Sequence, residues 1–135
     1  MFDTIGDIDI SVTWCKANDI CHTMNGYLTS IENESEMNAI TEYLKTNLLN
    51  APPWWVPGND LASEGNYVWA NTGTPMNYSP WTDGQPDNSK RSENCVHVWL
   101  YDHEYKMNDW GCRREDWHLD LVNVLYIFLI NDDDN

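Results

Sequence analysis

The sequence predicts one α+β domain with an antiparallel sheet, on three observations. The chain has 135 residues, a length typical of a single domain with a buried core. Apolar residues in the first fifty positions recur at helical spacing. After Trp54 the pattern changes to short strands separated by turns. Helices followed by strands, rather than alternating with them, are typical of the α+β class.

The first helix is predicted from one apolar stripe. Trp14, Ala17 and Cys21 stand at positions i, i+3 and i+7, so they share one face of a helix. Asn25 and Gly26, which tolerate positive φ, end it. A short strand is predicted at 27–31.

A second helix follows from a capping box, because Asn33 is followed three residues later by Glu36. Pro52 and Pro53 end this helix. Its apolar stripe consists of Met37, Ile40, Leu44 and Leu48.

The second half of the chain is rich in loops. The clearest strands are 67–69 and 95–99. Turn residues crowd the segments 57–60, 65–66, 71–77 and 80–88. Because a long loop region inside a compact domain is uncommon unless the loops carry function, we expect the function to lie there.

Charge and cysteine content narrow the class of protein. The formal net charge of −15 argues against binding to nucleic acid or to anionic membranes, and it indicates either solubility or cation binding. Cysteines at 15, 21, 95 and 112 form no CxxC pair, which argues against structural zinc. Disulfides, and with them an extracellular location, are the better interpretation.

The chain ends do not settle the compartment. Residues 1–7 are acidic and lack the apolar core of a signal peptide. The chain is therefore either a fragment or mature region of an exported protein, or a cytosolic protein with reduced thiols. The apolar run at 119–130 is too short for a membrane span.

One group of side chains offers only oxygen ligands, from two amides and three carboxylates. A hard cation such as Ca²⁺ takes six to eight oxygens, so this group predicts a calcium site. The amide NH₂ groups can donate hydrogen bonds to a polyhydroxyl ligand, which favours sugar recognition over catalysis. The five residues are Gln85, Asp87, Glu93, Asn108 and Asp109.

An enzyme is not expected. The four histidines, at 22, 97, 103 and 118, show no spacing typical of a nucleophile–base pair.

Five short motifs, in one order and spacing, carry a family resemblance. They are the pattern from Trp14 to Ile31, the segment 55–69 with Gly58-Asn59-Asp60 and Glu64-Gly65, the segment 81–87, Glu93-Asn94-Cys95, and Asn108-Asp109-Trp110-Gly111-Cys112. Together they resemble the C-type lectin domain, especially the secreted galactose-type lectins of invertebrates. The resemblance implies the C-type lectin-like fold, with two helices packed on small antiparallel sheets and a long calcium-binding loop region. It implies a domain over residues 1–119, short at its N-terminus, followed at 120–135 by an atypical C-terminal strand and an acidic tail.

The resemblance also implies roles for individual residues. The same five oxygen-bearing residues would hold the principal Ca²⁺, and with it two sugar hydroxyls. The peptide bond before Pro86 would be cis, and the order Gln-Pro-Asp at 85–87 implies a preference for galactose, where Glu-Pro-Asn implies mannose. Cys95 would pair with Cys112. An accessory calcium site would use Asp60, Glu64, Asn88, Glu93 and Asn94.

The chain departs from the family pattern in four ways. The usual partner of Cys21 in the last strand is absent, and Cys15 lies about 9 Å along the same helix, so Cys21 is expected to be unpaired. Beyond Leu119 either the terminus is altered or the apolar run itself serves as the final strand. Met107 replaces a usual tryptophan. The segment 88–92 has neither the aromatic residue nor the glycine-rich insert of the tightest galactose binders, which predicts weak, roughly millimolar, affinity for a monosaccharide.

The sequence therefore predicts a secreted, calcium-dependent lectin domain of galactose type. Its partners would be galactose-containing glycans or glycoproteins on cell surfaces or microbes, as in innate immunity. The alternative is a lectin-like domain that binds protein or another non-sugar ligand, or one that is inactive because of its altered C-terminus.

Overall fold

A computed structural model describes residues 4–8, 12–23, 25–47, 53–113 and 123–128, the first and last of these segments through their backbone. Two helices pack against a sheet of seven strands. The chain order is β1 (Thr4–Ile8), α1 (Trp14–Thr23), β2 (Gly26–Leu28), α2 (Glu34–Asn47), β3 (Trp54–Asn59), β4 (Val68–Trp69), β5 (Cys95–Tyr101), β6 (Glu104–Trp110) and β7 (Asn123–Phe128).

The first helix forms as predicted. Trp14, Ala17 and Cys21 are its buried residues. The helix is followed by Asn25 in the left-handed conformation, with φ 57°. The strand after it is shorter than predicted, because β2 ends at Leu28.

The second helix also forms as predicted, with a variant of the expected cap. Asn33 Oδ1 accepts a hydrogen bond of 2.9 Å from the backbone N–H of Glu36. The Glu36 carboxylate accepts from the N–H of Glu32 at 2.8 Å, one residue before the cap. Met37, Ile40 and Leu44 are buried. Leu48 and Pro52 lie outside the described residues.

The sheet runs in the order β1-β7-β3-β5-β6, with β2 paired to β7 and β4 paired to β3. Its pairs are antiparallel except for β3 with β7, which are parallel. β1 lies along one edge of β7, while β2 and β3 share the other edge. The apolar run beyond Leu119 therefore serves as a strand inside the sheet. The domain boundary expected at residue 119 falls outside the described residues and stays a prediction.

Two clusters of buried side chains lie against the sheet. Adjacent residues of a strand point to opposite faces, so Trp54 and Trp55 belong to different clusters. Trp54 packs with the apolar face of α2, and Trp55 packs with that of α1. This arrangement keeps β3 buried along its whole length.

Cys95 and Cys112 form the predicted disulfide, with Cα atoms 5.1 Å apart. Cys21 is buried and free, and Cys15 is exposed and free, as expected from the missing partner.

The long loop lies between β3 and β5. A backbone hydrogen bond of 3.0 Å from Asp60 N to Asn94 O closes its two ends. Inside the loop, Trp81 pairs with Met107 of β6 through an isolated bridge. The loop is thus held against the β5–β6 hairpin, where the predicted ligands lie.

Candidate functional site

Three of the predicted ligands converge at the end of the β5–β6 hairpin. Oxygen atoms of Asp87, Glu93 and Asp109 lie within 4.8 Å of one another. Asp109 is 0% exposed and Glu93 is 6% exposed, whereas Asp87 faces solvent. The register that pairs Val96 with Asp109 places the start of β5, and Glu93 just before it, beside the end of β6.

The same carboxylates organise the turn at 87–93. Asp109 accepts backbone hydrogen bonds from Asp87 at 3.2 Å and from Asn88 at 2.7 Å. One Glu93 oxygen accepts from Ser89 N at 2.9 Å, and Asp87 accepts from the same N–H at 3.1 Å. The turn therefore depends on the ligand side chains for its shape. The peptide bond between Gln85 and Pro86, just before this turn, is cis as predicted.

The cluster carries negative charge, and among the described residues no lysine or arginine forms a salt bridge with it. Burial, together with the charge of Asp109, raises the pKa of Glu93 to about 7. Burial also raises the pKa of Asp109, although hydrogen bonds from Asn88 and Asp87 oppose the shift. Among the described residues the only salt bridge joins Lys106 to Glu104. The cluster is therefore electrostatically suited to a cation.

An orphaned oxygen supports the same conclusion. The second carboxylate oxygen of Glu93, Oε2, is buried and has no hydrogen-bond partner among the described residues. Leaving such an atom unsatisfied costs about 1–3 kcal/mol or more for a charged group. A hard dication bound through oxygen would satisfy it, so the residues present fit calcium.

The two predicted amide ligands lie next to these carboxylates in the chain. Gln85 Oε1 accepts a hydrogen bond of 3.2 Å from Asp87 N. Asn108 precedes Asp109 on β6, is 3% exposed, and contacts His97 through its Nδ2, 3.1 Å from the ring Nε2. The close grouping of oxygens is defined by the three carboxylates, and Gln85 and Asn108 adjoin Asp87 and Asp109 in sequence.

His97 is a site-associated residue that the sequence did not reveal. Burial lowers the pKa of this imidazole to about 3, so the ring is uncharged at neutral pH. It is opposite Asn108 in the β5–β6 register. His97 is connected to the site through this cross-strand pairing, and the pairing could not be predicted because the register of the two strands was not known from the sequence. A histidine in an apolar strand was the available signal.

The accessory set is only partly brought together. With the NH₂ group of Asn94 facing the acids, it donates to Asp60 Oδ1 at 3.0 Å and to Glu64 Oε2 at 3.1 Å. Partial desolvation and the neighbouring Asp60 raise the pKa of Glu64. Asn88 Oδ1 instead accepts from Glu93 N at 3.1 Å, and Glu93 directs its carboxylate to the principal cluster.

Two helices packed on a sheet carry a long loop that a disulfide holds at its end, and an acidic, oxygen-only site lies where this loop meets a β-hairpin. These features together define the class of C-type lectin-like domains. The sequence profile of the lectin C-type domain matches residues 10–117. The chain belongs to the C-type lectin domain family.

Relatives of known sequence agree with this family. The chain is 34% identical over 99 residues to C-type lectin 37Db of Drosophila melanogaster, and the alignment covers 73% of this chain and 63% of that protein. It is 34% identical over 103 residues to salivary C-type lectin 2 of Aedes albopictus, covering 73% and 66%. The match thus spans less than two thirds of the length of these relatives. Neither the family nor these two lectins indicates an enzyme family.

A solved structure shows the same fold. The C-type carbohydrate-recognition domain of cow CD23, whose crystal structure was determined in the presence of a GlcNAc2Man3 oligosaccharide, superposes with a TM-score of 0.76. The two are 25% identical, and the alignment covers 94% of this chain and 88% of that one. Within the described part of the chain, no helix is both long and apolar enough to cross a bilayer.

Proposed function

We propose that this chain binds carbohydrate through a calcium ion. Five residues would hold the ion and contact the sugar: Gln85, Asp87, Glu93, Asn108 and Asp109. The observation that carries the proposal is the cluster of three carboxylates, two of them buried, with which no lysine or arginine of the described segments forms a salt bridge. Buried charges are ordinarily paired, neutralised by a proton or bound to a metal, and among the described residues no salt bridge reaches this cluster.

The donor set leaves room for a ligand. Five side chains supply five oxygens when each contributes one, whereas Ca²⁺ takes six to eight. When bound, the ion would supply positive charge for neutral oxygen ligands such as sugar hydroxyls. The protein's own part is to present carboxylate acceptors and amide donors around the ion, so that a pair of hydroxyls is recognised by its geometry.

We propose a preference for galactose because of the order of residues on the cis-proline turn. Gln85 provides the amide donor and Asp87 provides the carboxylate acceptor. Exchanging them in the double variant Gln85→Glu, Asp87→Asn moves donor and acceptor to opposite sides of the ion, and it should shift preference toward mannose. Competitive elution with the two sugars measures this, and an unchanged profile would refute the donor–acceptor argument.

The setting that we propose is extracellular, with galactose-containing glycans or glycoproteins of cell surfaces or microbes as partners, as in innate immunity. The Cys95–Cys112 disulfide supports an oxidising compartment. The accessory cation site that we propose uses Asp60, Glu64, Asn88, Glu93 and Asn94, and to bind an ion Asn94 would turn its amide oxygen, in place of its NH₂ group, toward Asp60 and Glu64. Its binding should be weaker than at the principal site, because fewer carboxylates converge there.

Affinity chromatography tests the proposal directly. The protein should be retained on galactose resin in calcium and released by chelator, while Asp109→Ala should pass through. Retention that chelator does not release would contradict a calcium-dependent lectin. Chelator-resistant binding to a glycoprotein stripped of its glycans would support the alternative of a protein-binding domain.

A further inference from the structure

His97 lies among three aromatic rings and is opposite one candidate ligand, Asn108, in the β5–β6 register. The rings of Trp55, Trp99 and Trp110 surround it edge-on, with centroids at 6.1, 5.3 and 5.8 Å. The residue is 2% exposed. Three packed rings leave the imidazole little freedom to rotate, so its nitrogens have fixed directions.

The contact between His97 and Asn108 couples a tautomer to an amide orientation. With Nδ2 of Asn108 as the donor at 3.1 Å, the ring Nε2 accepts and the ring proton sits on Nδ1, a buried atom with no hydrogen-bond partner among the described residues. The opposite tautomer, with hydrogen on Nε2, would require Asn108 to turn its oxygen toward the ring. Its NH₂ group would then be the free amide atom, and an NH₂ group cannot bind a cation.

We propose that His97 is the positioning residue for Asn108: by accepting the hydrogen bond from Nδ2, it leaves Oδ1 of Asn108 as the atom available to a calcium ion. This inference rests on the proposed function, and it adds a residue that contacts neither ion nor sugar. Groups that orient metal ligands in this way commonly change metal affinity 10–100-fold when they are mutated.

The alternative is a packing role, in which His97 only fills space between the three tryptophans. Phenylalanine would fill that space nearly as well. The acceptor nitrogen is what distinguishes the two roles, because Asn108 is 3% exposed and water cannot readily replace the lost partner. Variants that keep or remove an acceptor therefore separate packing from positioning.

The first experiment needs no metal. Long-range ¹H–¹⁵N NMR of the metal-free wild-type protein at neutral pH reports the tautomer of His97. We expect an unprotonated Nε2 and a protonated Nδ1. A protonated Nε2 would overturn the inference, whether or not the protein binds calcium.

The second experiment is calcium titration by calorimetry. His97→Phe should weaken calcium binding by about 10–100-fold, and His97→Gln should weaken it less, because the glutamine oxygen can still accept from Asn108. The control is Trp54→Phe, a core substitution on the opposite face of the sheet, which should lower the melting temperature and leave calcium affinity unchanged.

The outcomes are distinguishable. Wild-type calcium affinity in folded His97→Phe would overturn the positioning role and leave the proposed function standing. Equal losses in His97→Phe and Trp54→Phe would reduce His97 to a packing residue. No calcium binding by the wild-type protein would overturn the proposed function and, with it, the role of His97 toward the ion. Should His97→Phe not fold, the NMR result on the wild type still decides which Asn108 atom is free.

Discussion

Acidification should weaken calcium binding through Glu93. Its pKa of about 7 means that in the metal-free protein roughly half of these carboxyls carry a proton at pH 7. The ion binds the deprotonated form, so binding must expel that proton. For a single group, affinity falls by the factor 1 + 10^(pKa − pH). That factor is about 2 at pH 7 and about 30 at pH 5.5, a roughly fifteenfold loss between them.

Calorimetry in two buffers of different ionisation enthalpy measures both the calcium affinity and the number of protons released. At pH 7 the titration should release about half a proton per ion, rising toward one near pH 5.5. The raised pKa of Asp109 adds to the effect at the acidic end. Calcium affinity that is flat between pH 5.5 and 8, with no proton release, would refute the proposed burial and charge repulsion at Glu93.

The stability of the metal-free protein should change in the opposite direction. The folded pKa of Glu93 is raised from 4.5 to about 7, so the fold binds this proton more tightly than the unfolded chain does. That contribution is complete below about pH 4.5 and is lost as the pH rises through 7. The full shift corresponds to about 3 kcal/mol, of which about 2 kcal/mol falls between pH 5.5 and 8.

A matched variant separates the contribution of Glu93 to the free energy of unfolding from the effect of the other acidic residues, whose mutual repulsion also falls at low pH. Glu93→Gln cannot titrate, so the stability difference between wild type and variant should change by about 2 kcal/mol between pH 5.5 and 8 in chelator. Urea unfolding at both pH values measures it. A difference that is independent of pH would show that Glu93 titrates normally.

Three further predictions concern one carboxylate, the free thiols and the disulfide. Asp109→Ala should abolish calcium binding without unfolding the domain, as judged by calorimetry and circular dichroism, because the turn loses two backbone hydrogen bonds while the sheet is kept and repulsion with Glu93 is relieved; an unfolded variant would contradict this. Thiol titration should find one fast-reacting cysteine, Cys15, and a second, Cys21, only after denaturation, because burial raises the Cys21 pKa to about 12; two fast thiols would refute the buried position. Replacing Cys95 and Cys112 together by serine should cost about 3 kcal/mol in urea unfolding, as expected for a bridge across 17 residues, and a negligible loss would show that the loop is held by other contacts.

Helices were predictable here because their signal is local. The stripe of Trp14, Ala17 and Cys21 and the cap at Asn33 need only neighbours within one or two turns. Three strands, β1, β3 and β6, were not predicted from alternation. β3 is buried on both faces and contains Pro57 and Gly58, which read as a turn. In β6 the buried positions include Asn108 and Asp109, so the apolar pattern of a strand is missing where the site lies.

The candidate ligands were found through motif order and donor chemistry, whereas their grouping depends on chain segments far apart in sequence. Asp87 and Asp109 meet because the loop folds back onto the hairpin. The contact between His97 and Asn108 follows from the strand register, in which a slip of one residue would turn each side chain to the other face.

The amino-acid sequence by itself determined the two helices, the oxygen-only donor set and the order Gln-Pro-Asp at 85–87, because each depends on residue type and short spacing. Tertiary structure alone decided which oxygens meet, which carboxylates lose their water, and which buried ring faces Asn108. Desolvation and cross-strand contact are properties of packed surfaces, and they give Glu93 its raised pKa and His97 its neutral ring.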